Sequence, residues 1–127
     1  MKKVNFSIAK RIKSFGFAFN GLRILFHEEH NSRIHFFASV LVIIAALLFK
    51  LNTYEWIAII FSIGLVIIVE IINTAVENIA DFLTTEQNNH IKKIKDLVAA
   101  AVLVSALTAL TIGLIIFLPK ITALANL

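Results

Sequence analysis

The stretch E-I-I-N-T-A-V-E-N-I-A-D, residues 70–81, carries the residue types from which a reaction centre can be built. An α-helix advances about 100° per residue. With Glu77 as origin, Asp81 falls at about +40°, Asn73 at about −40° and Glu70 at about +20°. Glu70, Asn73, Glu77 and Asp81 therefore share one face roughly 80° wide. Three carboxylates so placed repel one another, and Ile, Val, Ala and Phe surround them. Ionisable residues in an apolar helix are costly, and they mark a function or line a cavity. The bland alternative is a stripe of interhelical hydrogen bonds. Asn, Thr and Ser alone would serve that purpose, and it does not call for clustered acids without cations on the same helix. Two tasks suit the acids. Carboxylates are hard oxygen ligands for Mg2+, which binds together with substrate phosphates. A buried carboxylate among like charges can also take a proton from an attacking hydroxyl. Glu70 follows a purely apolar stretch and is the candidate base. Glu77 and Asp81 lie nearer the polar end, where a metal–nucleotide could reach.

The elements that must hold this stripe follow from composition. The chain has 127 residues, 59% of them hydrophobic, with one Pro, four Gly and no Cys. That apolar share exceeds the usual half of a soluble domain and points to lipid contact. Without cysteine, thiol and disulfide chemistry is excluded. One domain over 1–127 is expected: an all-α integral membrane protein with three spans and an N-terminal amphipathic surface helix. Residues 1–30 alternate Lys10, Arg11, Lys13 and Arg23 with Phe6, Ile8, Ile12, Phe15, Phe19, Leu22 and Phe26 at helical spacing. Such a helix suits an anionic lipid surface. The spans are expected over 31–51, 54–83 and 95–118, with a polar turn at 50–55 and a polar loop at 84–96. Pro119 is expected to end the third span. Tyr54 and Trp56 resemble an interfacial aromatic belt.

The formal net charge is +4, and the basic residues flank apolar runs, which favours lipid headgroups over nucleic acid. By the positive-inside rule the N-terminal segment and the 84–96 loop face the cytoplasm. Charge interrupts the first thirty positions, so no secretory signal peptide is read there. No G-x-x-x-x-G-K-[ST] loop occurs, nor the glycine loop and catalytic loop of protein kinases. His27, Glu28, Glu29 and His30 lack the spacing of a zinc site. Lys92 and Lys93 read as flanking charge, whereas Lys95-Asp96 abuts the third apolar run directly. An oligomeric channel that uses the acidic stripe as its pathway is the remote rival, and it gives Lys95-Asp96 no role.

Glu70-x-x-Asn73-Thr74-Ala75-Val76-Glu77-x-x-x-Asp81 followed by Lys95-Asp96 resembles the signature of the prokaryotic diacylglycerol kinase family, which includes undecaprenol kinases. The resemblance extends through G-F-A-F-N-G-L-R at 16–23, the Glu29 region and A-A-A-V-L-V at 99–104. It implies a homotrimer in the bacterial cytoplasmic membrane, with active sites shared between subunits at the cytoplasmic face. It implies ATP-dependent phosphorylation of a lipid hydroxyl, diacylglycerol to phosphatidic acid, with undecaprenol to undecaprenyl phosphate as the alternative. By this likeness Glu70 is the catalytic base, and Glu29 and Glu77 hold Mg2+ with ATP. Lys10, Phe17, Glu29, Glu77, Asp81, Glu86, Gln87, Asn88, Lys95 and Asp96 match nucleotide-contact positions. Arg23, Arg33, Glu70, Asn73 and Ala99 fall in segments associated with the lipid. Lys10 stands where Arg is common, which turns a bidentate phosphate contact into a point charge. Phe17 stands where some members have Tyr, and Asn88 where His is frequent. His35 stands where the enterobacterial branch has an acid and resembles the undecaprenol-kinase branch, as does the ending G-L-I-I-F-L-P-K.

Overall fold

A computed structural model describes residues 1, 4–86 and 88–126. Their regular structure is four helices, α1 (Ile8–Glu28), α2 (His30–Leu48), α3 (Thr53–Leu83) and α4 (Asn89–Ala125). The last three are each long and apolar enough to cross a membrane, so the expected all-α membrane class holds.

Local chemistry sets each boundary. Ser7 caps α1 by accepting the Lys10 amide N–H at 3.4 Å. One extended residue, Glu29, separates α1 from α2. Arg33 reaches back over this break, donating from Nε to the Phe26 carbonyl at 2.7 Å and from Nη2 to the His27 carbonyl at 3.0 Å. Two helix-end carbonyls are thereby satisfied, and the angle between α1 and α2 is fixed. α2 ends in a left-handed residue, Lys50 at φ 52°. There the Leu51 N–H bonds the Ala46 carbonyl at 3.2 Å and the Lys50 N–H bonds that of Leu47 at 3.3 Å, the paired bonds of a Schellman motif. α3 starts on a capping box: Asn52 accepts the Glu55 N–H at 2.9 Å, and the Glu55 carboxylate accepts the Asn52 N–H at 3.1 Å.

α3 is the hub and touches each of the other helices, most extensively α4. The apolar core lies toward its Thr53 end, where Ala46, Leu51, Ile59 and Ile116 are buried together. Phe49 and Phe117 meet there with ring centroids 6.1 Å apart. Trp56 packs against this cluster, while Tyr54 stays exposed; of the expected aromatic belt, the tyrosine alone faces outward. Along the rest of their length α2 and α4 stand apart. Between them, over α3, runs an apolar groove of about 460 Å³ lined by Val42, Ile63, Val66, Ala109 and Phe117. α1 buries only Leu25 and presents Ile8, Ile12, Phe15 and Phe19 outward.

Two expectations are corrected. The polar segment 84–96 is not a loop throughout, because α4 starts at Asn89. Asn88 caps it by accepting the Ile91 N–H at 2.9 Å, and a Lys92–Asp96 pair at 2.7 Å spans its first turns. Pro119 does not end α4, which runs on to Ala125. A proline deletes one helix N–H. Beyond it, Thr122 Oγ1 donates to the Pro119 carbonyl at 3.0 Å, and Lys120 pairs with Glu55 of α3 at 3.2 Å.

Candidate active site: the polar half of α3

The stripe read from the sequence forms a gradient of burial along α3. Glu70 is 2% exposed and Asn73 7%, Glu77 is half-buried, and Asp81 is exposed near the helix end. A carboxyl as deep as Glu70 needs partners, and α2 provides them. Ser32 Oγ donates to Glu70 Oε2 at 3.1 Å. His35 Nδ1 lies 2.7 Å from Glu70 Oε1. This second contact is close but not an aligned hydrogen bond, so Oε1 keeps its accepting capacity free. Among the described residues the side-chain oxygens of Asn73 and Thr74 are also buried without a partner. Three acceptors left open within two turns of a helix are a place for a donor such as a hydroxyl.

Toward the end of α3, the break between α1 and α2 sets Glu29 against Glu77. Burial, the hydrogen-bonded Glu77 carboxyl and the charges of Glu77, Glu70 and Glu28 push the Glu29 carboxyl up to about 7. Two charged carboxylates in such contact repel one another, and a cation between them relieves that repulsion. The break itself is tied to α3 by Asn78, whose Nδ2 donates to Glu28 Oε2 at 2.8 Å and to the Thr74 carbonyl at 2.8 Å. Among the described residues no three His, Cys, Asp or Glu side chains converge as a ready metal cage. Two hard carboxylates suit Mg2+, which takes one or two from the protein and completes its shell with water and phosphate oxygens.

One turn further, Lys95 Nζ meets Asp81 Oδ1 at 2.6 Å. Lys95 and Asp96 are neighbours in sequence but pair in different directions, since Asp96 binds Lys92. Asp81, Glu86, Asn88, Lys95 and Asp96 line one cavity of about 490 Å³ at the α3–α4 turn. Thr84 Oγ1 shapes that turn by accepting the Glu86 N–H at 3.0 Å. Gln87 lies outside the described residues. Lys10 and Phe17 are exposed on α1, and no side-chain hydrogen bond or ion pair joins them to the other candidates among the described residues. Arg23 and Ala99 are exposed likewise, and Arg33 is engaged in capping α1. The sequence gives no role to Ser32 or Asn78, and Glu28 enters it only in a cluster that lacks zinc spacing; the spacing of Ser32 and His35 on one face of α2 is the signal that points to the first.

A model of the prokaryotic diacylglycerol kinase family matches residues 16–117. Undecaprenol kinase of Bacillus subtilis is 38% identical over 109 residues, spanning 86% of this chain and 89% of that protein. Diacylglycerol kinase of Synechocystis sp. is 36% identical over 112 residues, 87% of this chain and 64% of that one. Diacylglycerol kinase of Escherichia coli K12 is 32% identical over 98 residues, 77% of this chain and 80% of that one. The matched region contains the whole acidic stripe, the Glu29 break and the α3–α4 turn. The chain belongs to the prokaryotic diacylglycerol kinase family of lipid kinases.

Proposed function

We propose that the protein transfers the γ-phosphoryl group of ATP to the hydroxyl of a membrane lipid at the cytoplasmic face of a bacterial membrane, with Glu70 as the base. The observation that carries this reading is a carboxyl 2% exposed, with one oxygen held by Ser32 and the other open, on the same helix face as the half-buried Glu77 that Glu29 approaches from the α1–α2 break. Mg2+ held by Glu29 and Glu77 would neutralise phosphate charge. The cavity lined by Asp81, Glu86, Asn88, Lys95 and Asp96 offers the nucleotide both a cation and polar acceptors. Gln87 is assigned to the same contact by likeness. Phosphoryl transfer asks chiefly for positioning and charge neutralisation. An amphipathic lipid brings its hydroxyl to headgroup depth unaided, so Glu70 need only accept that hydroxyl's proton as oxygen attacks phosphorus in line. Asn73 offers a second acceptor beside it.

The assembly we propose is a homotrimer with shared sites. Its support is that Lys10 and Phe17, assigned to the nucleotide by likeness, are exposed and, among the described residues, joined to the remaining candidates by no side-chain hydrogen bond or ion pair. Arg23, Arg33 and Ala99 are assigned to the lipid on the same basis.

The acceptor we propose is diacylglycerol, the substrate named for the family and for two of the relatives. Undecaprenol is the second reading, favoured by the Bacillus subtilis relative, whose length is 89% spanned. Purified protein in mixed micelles with Mg2+ and labelled ATP, offered each lipid in parallel, tests both. Label in one lipid assigns the acceptor. Folded protein that labels neither overturns the reading.

A further inference from the structure

We infer that Ser32 and His35 form a two-point clamp from α2 that aims the Glu70 carboxylate, and that both are positioning residues for the transfer. The inference rests on the reading of Glu70 as the base. A glutamate side chain swings freely about its torsions, and a base misplaced by about 1 Å can lose on the order of a hundredfold in rate. Glu70 receives no side-chain hydrogen bond from its own helix among the described residues; its neighbours Asn73 and Thr74 keep open oxygens of their own. What holds it comes from α2. Ser32 and His35 are three positions apart, and so lie on one face of that helix. Ser32, 5% exposed, donates to Oε2 at 3.1 Å, while the His35 ring stands 2.7 Å from Oε1.

The two contacts differ in kind, and the difference gives the clamp its direction. The Ser32 bond fixes Oε2. The imidazole walls off one side of Oε1 without an aligned hydrogen bond, so that oxygen remains open to a proton from the lipid hydroxyl. His35 also lines the groove between α2 and α4. From α4 that groove receives only apolar side chains and a glycine, among them Leu110, Gly113 and Phe117. The ring therefore stands between the open oxygen and the apolar groove, and Glu70 cannot turn that way without displacing it.

The test compares label transfer to lipid in wild type, His35→Ala, His35→Gln and Ser32→Ala, each in the native and in the Glu70→Gln background. In the native background His35→Ala is expected to lower kcat roughly tenfold to a hundredfold, with KM for ATP unchanged. His35→Gln, which keeps a polar group at similar reach, recovers most of that loss. In the Glu70→Gln background the α2 variants are expected to remove nothing further, because residues acting through one group are non-additive with it. A further loss there, or full kcat for His35→Ala in the native background, overturns the clamp. If His35→Ala does not fold, Ser32→Ala carries the same comparison with a smaller change in volume. Unchanged turnover in Glu70→Gln alone would sink the reading of the base itself. A slow Glu70→Gln with unaffected α2 variants removes only the clamp.

Discussion

The two ends of α3 treat charge in opposite ways. Near Thr53, Glu55 is used twice: it completes the capping box with Asn52 and pairs with Lys120 at 3.2 Å. Around it Leu51, Ile59 and Ile116 pack closely. Toward Leu83, α3 itself carries three acids, Glu70, Glu77 and Asp81, and no Lys or Arg. Lys95 serves Asp81, Asn78 serves Glu28, and Glu29, Glu70 and Glu77 are left to one another and to α2. Where the only task is to hold helices together, charge is matched. Unmatched acid accumulates where something from outside the chain must complete it.

The sharpest way to break this contrast is to neutralise its deepest member. Glu70→Gln is expected to reduce lipid phosphorylation by roughly 10² to 10⁴-fold while helical content by circular dichroism stays unchanged. Preserved turnover would place the base elsewhere.

A second effect follows from the Glu29–Glu77 pair. Glu29 has an ordinary value of 4.5 and is raised to about 7 in the folded protein. The folded state thus binds the extra proton between those values. The stability this confers is complete below about 4.5 and lost as pH rises through about 7. Without divalent cation, Tm in detergent should fall from pH 5 to pH 8, and Mg2+ should restore most of the fall at pH 8. Glu77→Gln should make the fall shallower and leave the part that burial causes. A wild-type profile that Glu77→Gln does not change would mean that the two carboxyls do not meet.

The matched end predicts smaller numbers. Glu55→Gln keeps part of the cap and loses a partly exposed ion pair, so thermal unfolding should shift by about 1 kcal/mol or less, with turnover unaltered. Smaller again is Lys50→Gly, at the left-handed residue that closes α2. Relief of the side-chain penalty there should stabilise by up to about 1 kcal/mol, measurable as a rise in Tm.

What could be read from the sequence was what repeats locally. The stripe at 70–81 follows from helical spacing alone, and its gradient of burial follows from the apolar run before Glu70. The three spans follow from apolar length. Pro119 misled because proline removes one N–H but does not forbid a helix whose next turns are held by Thr122 and Lys120. The start of α4 was obscured because Asn88 and Asn89 suit turns and helix caps equally well. Ser32 and Glu70 are 38 positions apart, and nothing local in either segment announces the other. In the sequence His35 marks a likeness to one branch of the family; its nearness to Glu70 depends on how α2 packs against α3. The Glu29–Glu77 pairing likewise needs the one-residue break after α1, which Arg33 secures from the far side.

The stripe on α3 also has a consequence for how such genes can diverge. Substitutions that leave a helix former on the outward face of residues 70–81 leave the acidic face in register. A single codon inserted between Glu70 and Glu77 turns everything beyond it by about 100°, carrying Glu77 off the face of Glu70 while every original residue is still encoded. Lineages descending from this chain are therefore free to drift in letters along that helix but not in length.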